Sequence, residues 1–291
     1  MSNGNKWEDY KKWVGGVIKN KKEFFYRGQL DAEWKLQTAF HRTVERKSLS
    51  LSLNDYLTKV IPVVHYYISA WHNEIINLKD PNEFSSFLSL LQHYGFPTPL
   101  LDWTMSPYIA AYFAFREVDD VKPQCSNVKI FIFDFNEWTT TYQQPLDLSK
   151  EEIFVSVIVP YAKYNQRIIN QQGVYTVANV SDMAQHIINS GKIKNKTFLY
   201  EYTLSVKERP QVMRELNLMG INEMSLFPSI DGICKTMREI FFSKDVVGLT
   251  SSELLQQLLN LTTPSEPILN PFIEALKSKN ILGKTLLTKD I

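Results

Sequence analysis

The sequence predicts an α+β fold. Three observations carry this: apolar residues recur at both helical and strand spacing, strand and helix patterns mix without a regular βαβ beat, and no helix follows each strand at fixed spacing. A doubly wound parallel sheet is therefore disfavoured.

The elements follow in chain order. Trp7, Tyr10, Trp13, Val14 and Val17 fall at helical spacing and predict an amphipathic helix over 7–18. Phe24-Phe25-Tyr26 reads as a short buried strand ending at Arg27-Gly28-Gln29. Leu57, Val60, Ile61, Val64, Tyr67, Ile68 and Trp71 predict a long helix over 54–76, with Pro62 a point of kinking. A second helix over 83–94 is stopped by Gly95 and Pro97. Leu100 to Trp103 reads as a short strand. Ser106-Pro107 then opens a helix over 108–116, serine as N-cap and proline at the first helical position. VKIFIFDF (128–135) is the clearest strand, and others are expected at 154–159, 174–177 and 198–204. Helices are predicted over 208–219, closed by Gly220, and over 229–242. From Thr250 the composition shifts to Leu, Ser and Thr. A Thr250 to Glu253 capping box starts one more helix, and another follows the break at 263–267. The organisation expected is a main domain over 1–243 and a C-terminal helical appendage over 244–291.

Composition narrows the function classes. Among 291 residues, Lys+Arg 32 against Asp+Glu 31 gives a net charge of +1, which argues against binding through a global charged field. Two cysteines, Cys125 and Cys234, support neither a disulfide framework nor a zinc site. His65 and His72 share a helix face without a carboxylate or cysteine partner and read as ordinary surface histidines. The N-terminus lacks an apolar signal core, and no apolar run reaches the roughly 18 residues a membrane span needs. The cytoplasm is the expected compartment, with no membrane partner. No GxGxxG, GxxxxGK[ST] or GxSxG pattern occurs, so a Rossmann fingerprint, a P-loop and a nucleophile elbow are unsupported.

Three features bear on chemistry. Arg27 ends an apolar strand, where a guanidinium is costly to bury unless it meets an anion or a carboxylate; pairing with a core carboxylate is the commoner outcome. Gly28 after it permits a sharp turn or close approach of a ligand. The stretch from Gln92 to Pro107 packs a helix stop, a strand and a helix start together. It offers the Asp102 carboxylate, the Thr104 and Ser106 hydroxyls and free backbone N–H groups to a phosphate or carboxamide, with Trp103 and Tyr108 as a stacking wall. Ser106 taken alone reads as an N-cap. Glu223 stands on a short strand-like link, where it either orients a ribose and a developing cation or serves structure alone. Asp231 complements a helix N-terminus.

Phe25-Tyr26-Arg27-Gly28-Gln29, then Trp34-Lys35-Leu36 and Arg42, resemble the opening of the FRG domain, with tyrosine replacing the phenylalanine before Arg27. His93-Tyr94-Gly95-Phe96-Pro97-Thr98, Leu101-Asp102-Trp103-Thr104-Met105-Ser106-Pro107 and Ala110-Ala111-Tyr112-Phe113-Ala114 resemble its central motif, except that Pro99 stands where arginine is common. Arg167-Ile168, Gln171 and Gly173-Val174-Tyr175-Thr176 resemble a third motif. Leu226-Phe227-Pro228 with Asp231-Gly232 resembles a fourth, with Ser229 where aspartate is frequent. The resemblance spans about residues 5–243.

FRG domains resemble the ADP-ribosyltransferase superfamily at a distance. The resemblance implies small, mostly antiparallel sheets around an NAD cleft, with NAD consumed as substrate. It also implies that Arg27 and Glu223 are catalytic. The NAD-binding group would be Arg27, Gly28, Gln29 and His93 on one side. Asp102, Trp103, Thr104, Ser106 and Gln171 would complete it, with no metal. ADP-ribose would pass to protein, nucleic acid or water, in a toxin or antiphage-defence setting, and the C-terminal helices would contact a protein partner. The alternative is a non-catalytic module that senses or binds a nucleotide or nucleic acid in the same cleft.

Overall fold

The computed structural model describes residues 6–118, 126–160 and 167–242. Cys125, the 243/244 domain boundary and the C-terminal helices expected from the sequence lie outside the described residues.

The architecture is α+β around one six-stranded, wholly antiparallel sheet. The chain runs α1 (Trp7–Lys19), β1 (Phe25–Gln29), α2 (Ala39–Arg46), α3 (Leu53–Asp55), a π-helical segment (Tyr56–Val60), α4 (Ile61–His72), α5 (Pro81–His93), β2 (Leu100–Thr104) and α6 (Pro107–Phe115). It continues through β3 (Asn127–Phe133), α7 (Phe135–Thr141), β4 (Val155–Ile158), α8 (Arg167–Asn170), β5 (Gly173–Ala178), α9 (Met183–Lys194) and β6 (Leu199–Ser205). A 3-10 turn (Val206–Glu208) then leads into α10 (Arg209–Leu218), α11 (Glu223–Leu226) and α12 (Ile230–Phe242).

The long helix expected over 54–76 is broken in character at Pro62. Proline has no N–H to donate, and the turn before it widens to a π-helix, with the Ile61 N–H bonded to the Tyr56 carbonyl. The strand-like link expected around Glu223 is the short helix α11. Asn222 accepts from the Ser225 N–H at 3.0 Å and Ser225 Oγ closes the capping box, which fixes Glu223 at the first helical position.

Strand order is β4-β5-β2-β1-β3-β6. β1 pairs with β3 along its whole length, from Phe25↔Phe133 to Gln29↔Lys129, and β2 likewise with β5. The ladder between β1 and β2 consists of the single pair Tyr26↔Thr104. The sheet is thus two three-stranded halves joined at one point, and the opening between them begins at Arg27.

The faces of β1 are sorted by its period of two. Tyr26 and Gly28 face α6 in a core that includes Trp7, Tyr10, Ala110, Ala114, Ile130, Ile132 and Leu216. Phe25 faces the other side, with Phe131, Phe133, Trp103, Trp138, Met183 and Ile187. A third apolar cluster fastens α5 to β2 and β5 through Phe87, Leu88, Leu91, Leu100 and Val177.

Candidate functional site

Where β1 and β2 part, a cleft of about 950 Å³ opens. Arg27 stands at its floor. Its Nη1 donates to the Asp102 main-chain carbonyl at 2.7 Å and lies 3.8 Å from the Asp102 carboxylate. The Arg27 side chain is 18% exposed, and its Nε is buried without a hydrogen-bond partner among the described residues. Burial lowers the guanidinium pKa, Asp102 opposes that shift, and Arg42 adds to it. Of the two expectations for Arg27, a core carboxylate and a ligand, the first is met only loosely: the strong bond goes to a carbonyl.

The rest of the cationic lining comes from α2. Thr38 caps this helix, accepting from the His41 N–H at 3.3 Å. Arg42 and Arg46, four residues apart, share one helix face and both line the cleft. Neither makes an ion pair among the described residues, although Arg42 donates weakly to the Gln37 carbonyl at 3.4 Å. Lys35 pairs with Glu45 at 3.3 Å. Arg116 and Arg167 complete six cations, against the carboxylates Glu45, Asp102 and Glu117. The cleft is therefore positive in a chain whose net charge is +1.

The aromatic wall differs from the expected one. Trp103 is 3% exposed, its indole N–H donating to Thr176 at 2.9 Å in the core, and Tyr108 packs edge-on against Trp7. Trp103 lines the cleft but is held by that bond with little surface exposed, and Tyr108 lies outside the lining. Trp34 is half exposed at the cleft rim, and the Gln29 side-chain amide holds its carbonyl at 3.0 Å. Phe113 and Phe227 line the other end, where the Arg116 guanidinium lies 5.7 Å and 4.8 Å from their ring centres. Arg167 lies 5.3 Å from the centre of the same Phe227 ring.

Several expected binding residues serve structure. A Cβ on Gly28 would meet the Ala110 carbonyl oxygen at 1.9 Å and the Ala114 nitrogen at 2.6 Å, so its glycine is required by the crossing of α6 over β1 rather than by a turn. Thr104 Oγ1 donates to the Gln171 carbonyl at 2.7 Å and accepts from the Ser106 N–H at 3.1 Å, which commits its single proton to the fold. Ser106 caps α6, accepting from Ile109 at 3.3 Å. Gln171 donates to the Leu226 carbonyl at 3.2 Å and ties the end of α8 to α11. His93 and the half-exposed Asp102 line the cleft, and so do Gly28, Gln29, Trp103, Thr104 and Gln171, whereas Ser106 lies outside the lining.

Glu223 lies outside the lining. It is 8% exposed, and its carboxylate accepts from the Tyr112 hydroxyl at 2.5 Å. Arg116 lies 3.4 Å away and Lys235 3.6 Å. Burial, with the Glu223 carboxylate second, raises the Tyr112 pKa strongly, so that hydroxyl stays a donor. The structure places Glu223 behind Arg116, not beside Arg27. Elsewhere, the His65 ring bonds the Ile76 carbonyl at 2.8 Å, and among the described residues no cluster of His, Cys, Asp and Glu is arranged to hold a metal. No described helix is long and apolar enough to cross a membrane.

Residues 22–122 match the family model of the FRG domain. The chain carries an FRG domain. The match is narrower than the span expected from the motifs: it holds β1 and α2 through α6, and with them Arg27, Trp34, Arg42, Arg46, Asp102 and Arg116. Arg167 and Phe227 come to the FRG domain's cleft from beyond it. No curated protein and no solved structure matches the chain.

Sequence reasoning missed Arg46 and Arg116 as site residues, and reached Trp34, Arg42, Phe113, Arg167 and Phe227 only as motif letters. The spacing of four between Arg42 and Arg46 was the available signal, but it has meaning only once 39–46 is known to be a helix.

Proposed function

We propose that the cleft binds NAD and that the protein cleaves it in an ADP-ribosyltransferase-like reaction, passing ADP-ribose to a macromolecule or to water. The observation that carries this reading is the notch between β1 and β2. Among the described residues, a mostly buried arginine there has an unpartnered Nε and shares the cleft with Arg42 and Arg46, which have no ion pair, with the half-exposed Trp34 at the rim. A dinucleotide supplies what this lining lacks, anionic phosphate for the guanidinium groups and a flat ring for the indole.

In the reaction the glycosidic C–N bond breaks and its electron pair leaves with the nicotinamide ring nitrogen, neutralising that ring. The ribose carbon becomes an oxocarbenium ion, takes the acceptor's lone pair, and the acceptor loses its proton. Arg27 and Arg42 hold the diphosphate, and Trp34 stacks on a base. Asp102 is the cleft carboxylate beside Arg27 and is the group assigned to steady the cation. Glu223 fixes Arg116 through its ion pair.

The test is release of free nicotinamide from NAD with protein, nucleic acid or water as acceptor. The wild type should release it, and Arg27→Ala and Asp102→Asn should not. No release by the wild type with any acceptor sinks the enzymatic reading. The placement of Glu223 outside the cleft favours the second reading, a nucleotide-binding module without turnover; NAD or AMP would then saturate the protein with no nicotinamide freed.

A further inference from the structure

We propose that Arg116 and Arg167, gathered about the Phe227 ring, form a second phosphate subsite at the end of the cleft away from α2. The inference rests on the anion-binding reading of the cleft but not on any turnover.

The two guanidinium carbons lie 4.8 Å and 5.3 Å from the centre of one phenyl ring, although they come from the end of α6 and the start of α8. Stacking occupies the flat face of a guanidinium and leaves its in-plane N–H donors directed outward. The Arg167 guanidinium has no hydrogen bond and no ion pair among the described residues. Among the described residues the Arg116 guanidinium makes two long polar contacts, 3.4 Å to Glu117 and 3.4 Å to Glu223. Two like charges on one ring repel each other, and a dianionic phosphoryl group between their edges relieves that repulsion while accepting from both forks.

The surrounding bonds hold this arrangement in place. Gln171, one turn on from Arg167, takes the Leu226 carbonyl, and Leu226 precedes Phe227. The Gln171 carbonyl in turn accepts from Thr104 on β2. The second subsite is thereby tied to the strand that carries Asp102. A ligand or ligand pair with phosphoryl groups at both ends of the cleft is the chemistry that fits. The second phosphoryl belongs either to the same dinucleotide or to a separate, phosphate-bearing acceptor.

The experiment titrates isotopically labelled full-length protein with inorganic phosphate and pyrophosphate and follows backbone amide shifts. Two sets of shifting resonances are expected, one around Gly28 and Arg42 and one around Gln171 and Phe227, each with its own binding curve. Arg167→Gln should weaken the second set at least tenfold and leave the first unchanged, which also shows that the variant is folded. Lys192→Gln, outside the cleft, should change neither. A repeat in saturating NAD assigns the source: competition at the second set places that phosphoryl on the dinucleotide, and continued phosphate binding places it on an acceptor. A single set of shifts, or equal affinity in Arg167→Gln, overturns the proposal. Failure of nicotinamide release with both sets intact removes turnover alone.

Discussion

The Arg27 guanidinium reaches across the notch between β1 and β2 and donates to the Asp102 carbonyl at 2.7 Å, beyond the last residue pair that joins the two strands. A side chain thus occupies a carbonyl that a continuous ladder would have used, and the arginine is pre-oriented with Nε still unpartnered among the described residues. Arg27→Lys keeps the charge but loses the planar fork, so it cannot hold the carbonyl and a phosphate together. Its affinity for AMP or NAD should fall at least about tenfold, some 1.4 kcal/mol, by calorimetry. Unchanged affinity would show that Arg27 does not touch the ligand.

Gly28→Ala tests the layer beneath. The added methyl meets main-chain atoms of α6 at 1.9 Å and 2.6 Å, and backbone cannot rotate away as a side chain can. The helix must lift from the strand, at a cost of about 3 kcal/mol, the upper part of the overpacking range. Urea denaturation should show the midpoint drop with little change in slope.

Glu223→Gln separates a structural carboxylate from a catalytic one. The amide still accepts from Tyr112 but no longer offsets Arg116 and Lys235, and a loss of about 1–3 kcal/mol is expected. Tyr112→Phe should cost a similar amount, and the double variant less than the sum, because both act on one bond: Glu223→Gln weakens it by removing the acceptor's charge, and Tyr112→Phe removes it. If nicotinamide release is found in the wild type, it should survive in Glu223→Gln. Its complete loss with unchanged stability would return Glu223 to the reaction.

The strands were legible from the sequence because runs such as VKIFIFDF are buried on both faces and leave no helical alternative. Helices α2, α7 and α9 were not, since each is short or largely polar and takes its stability from tertiary packing. Arg27-Gly28 stood out locally, but the reason for the glycine is a helix crossing over eighty residues downstream, which no local pattern reveals. Glu223 illustrates the converse. Asn222 and Ser225 at capping-box spacing could have been read as a helix start, and that would have turned the carboxylate toward α6 rather than into the cleft.

Trp34 should report occupancy of the cleft. The residue is 54% exposed while its carbonyl is pinned by Gln29, so stacking a base on it buries apolar surface with little rearrangement. Base–aromatic stacking is worth about 1–3 kcal/mol, so Trp34→Ala should weaken AMP binding roughly tenfold or more and leave inorganic phosphate binding unchanged. Equal losses for both ligands would place the tryptophan in the fold rather than in base recognition.

His41 links the cleft to acid pH. Its ring lies against Phe40, its Nδ1 is 2.7 Å from Thr38 Oγ1, and burial lowers its pKa from 6.5 to about 4. Between these values the unfolded chain binds a proton that the folded chain refuses, so stability rises with pH through that window and is lost as pH falls. The full separation corresponds to at most about 3 kcal/mol, reduced by the partial exposure of the ring. Because α2 also carries Arg42 and Arg46, protonation of His41 should loosen the phosphate-holding face along with the helix. Proton NMR should place the His41 midpoint below 5, and His41→Gln should flatten the stability profile between pH 4 and 6.5. A midpoint near 6.5 would mean that water reaches the ring and that α2 owes its acid sensitivity to other groups.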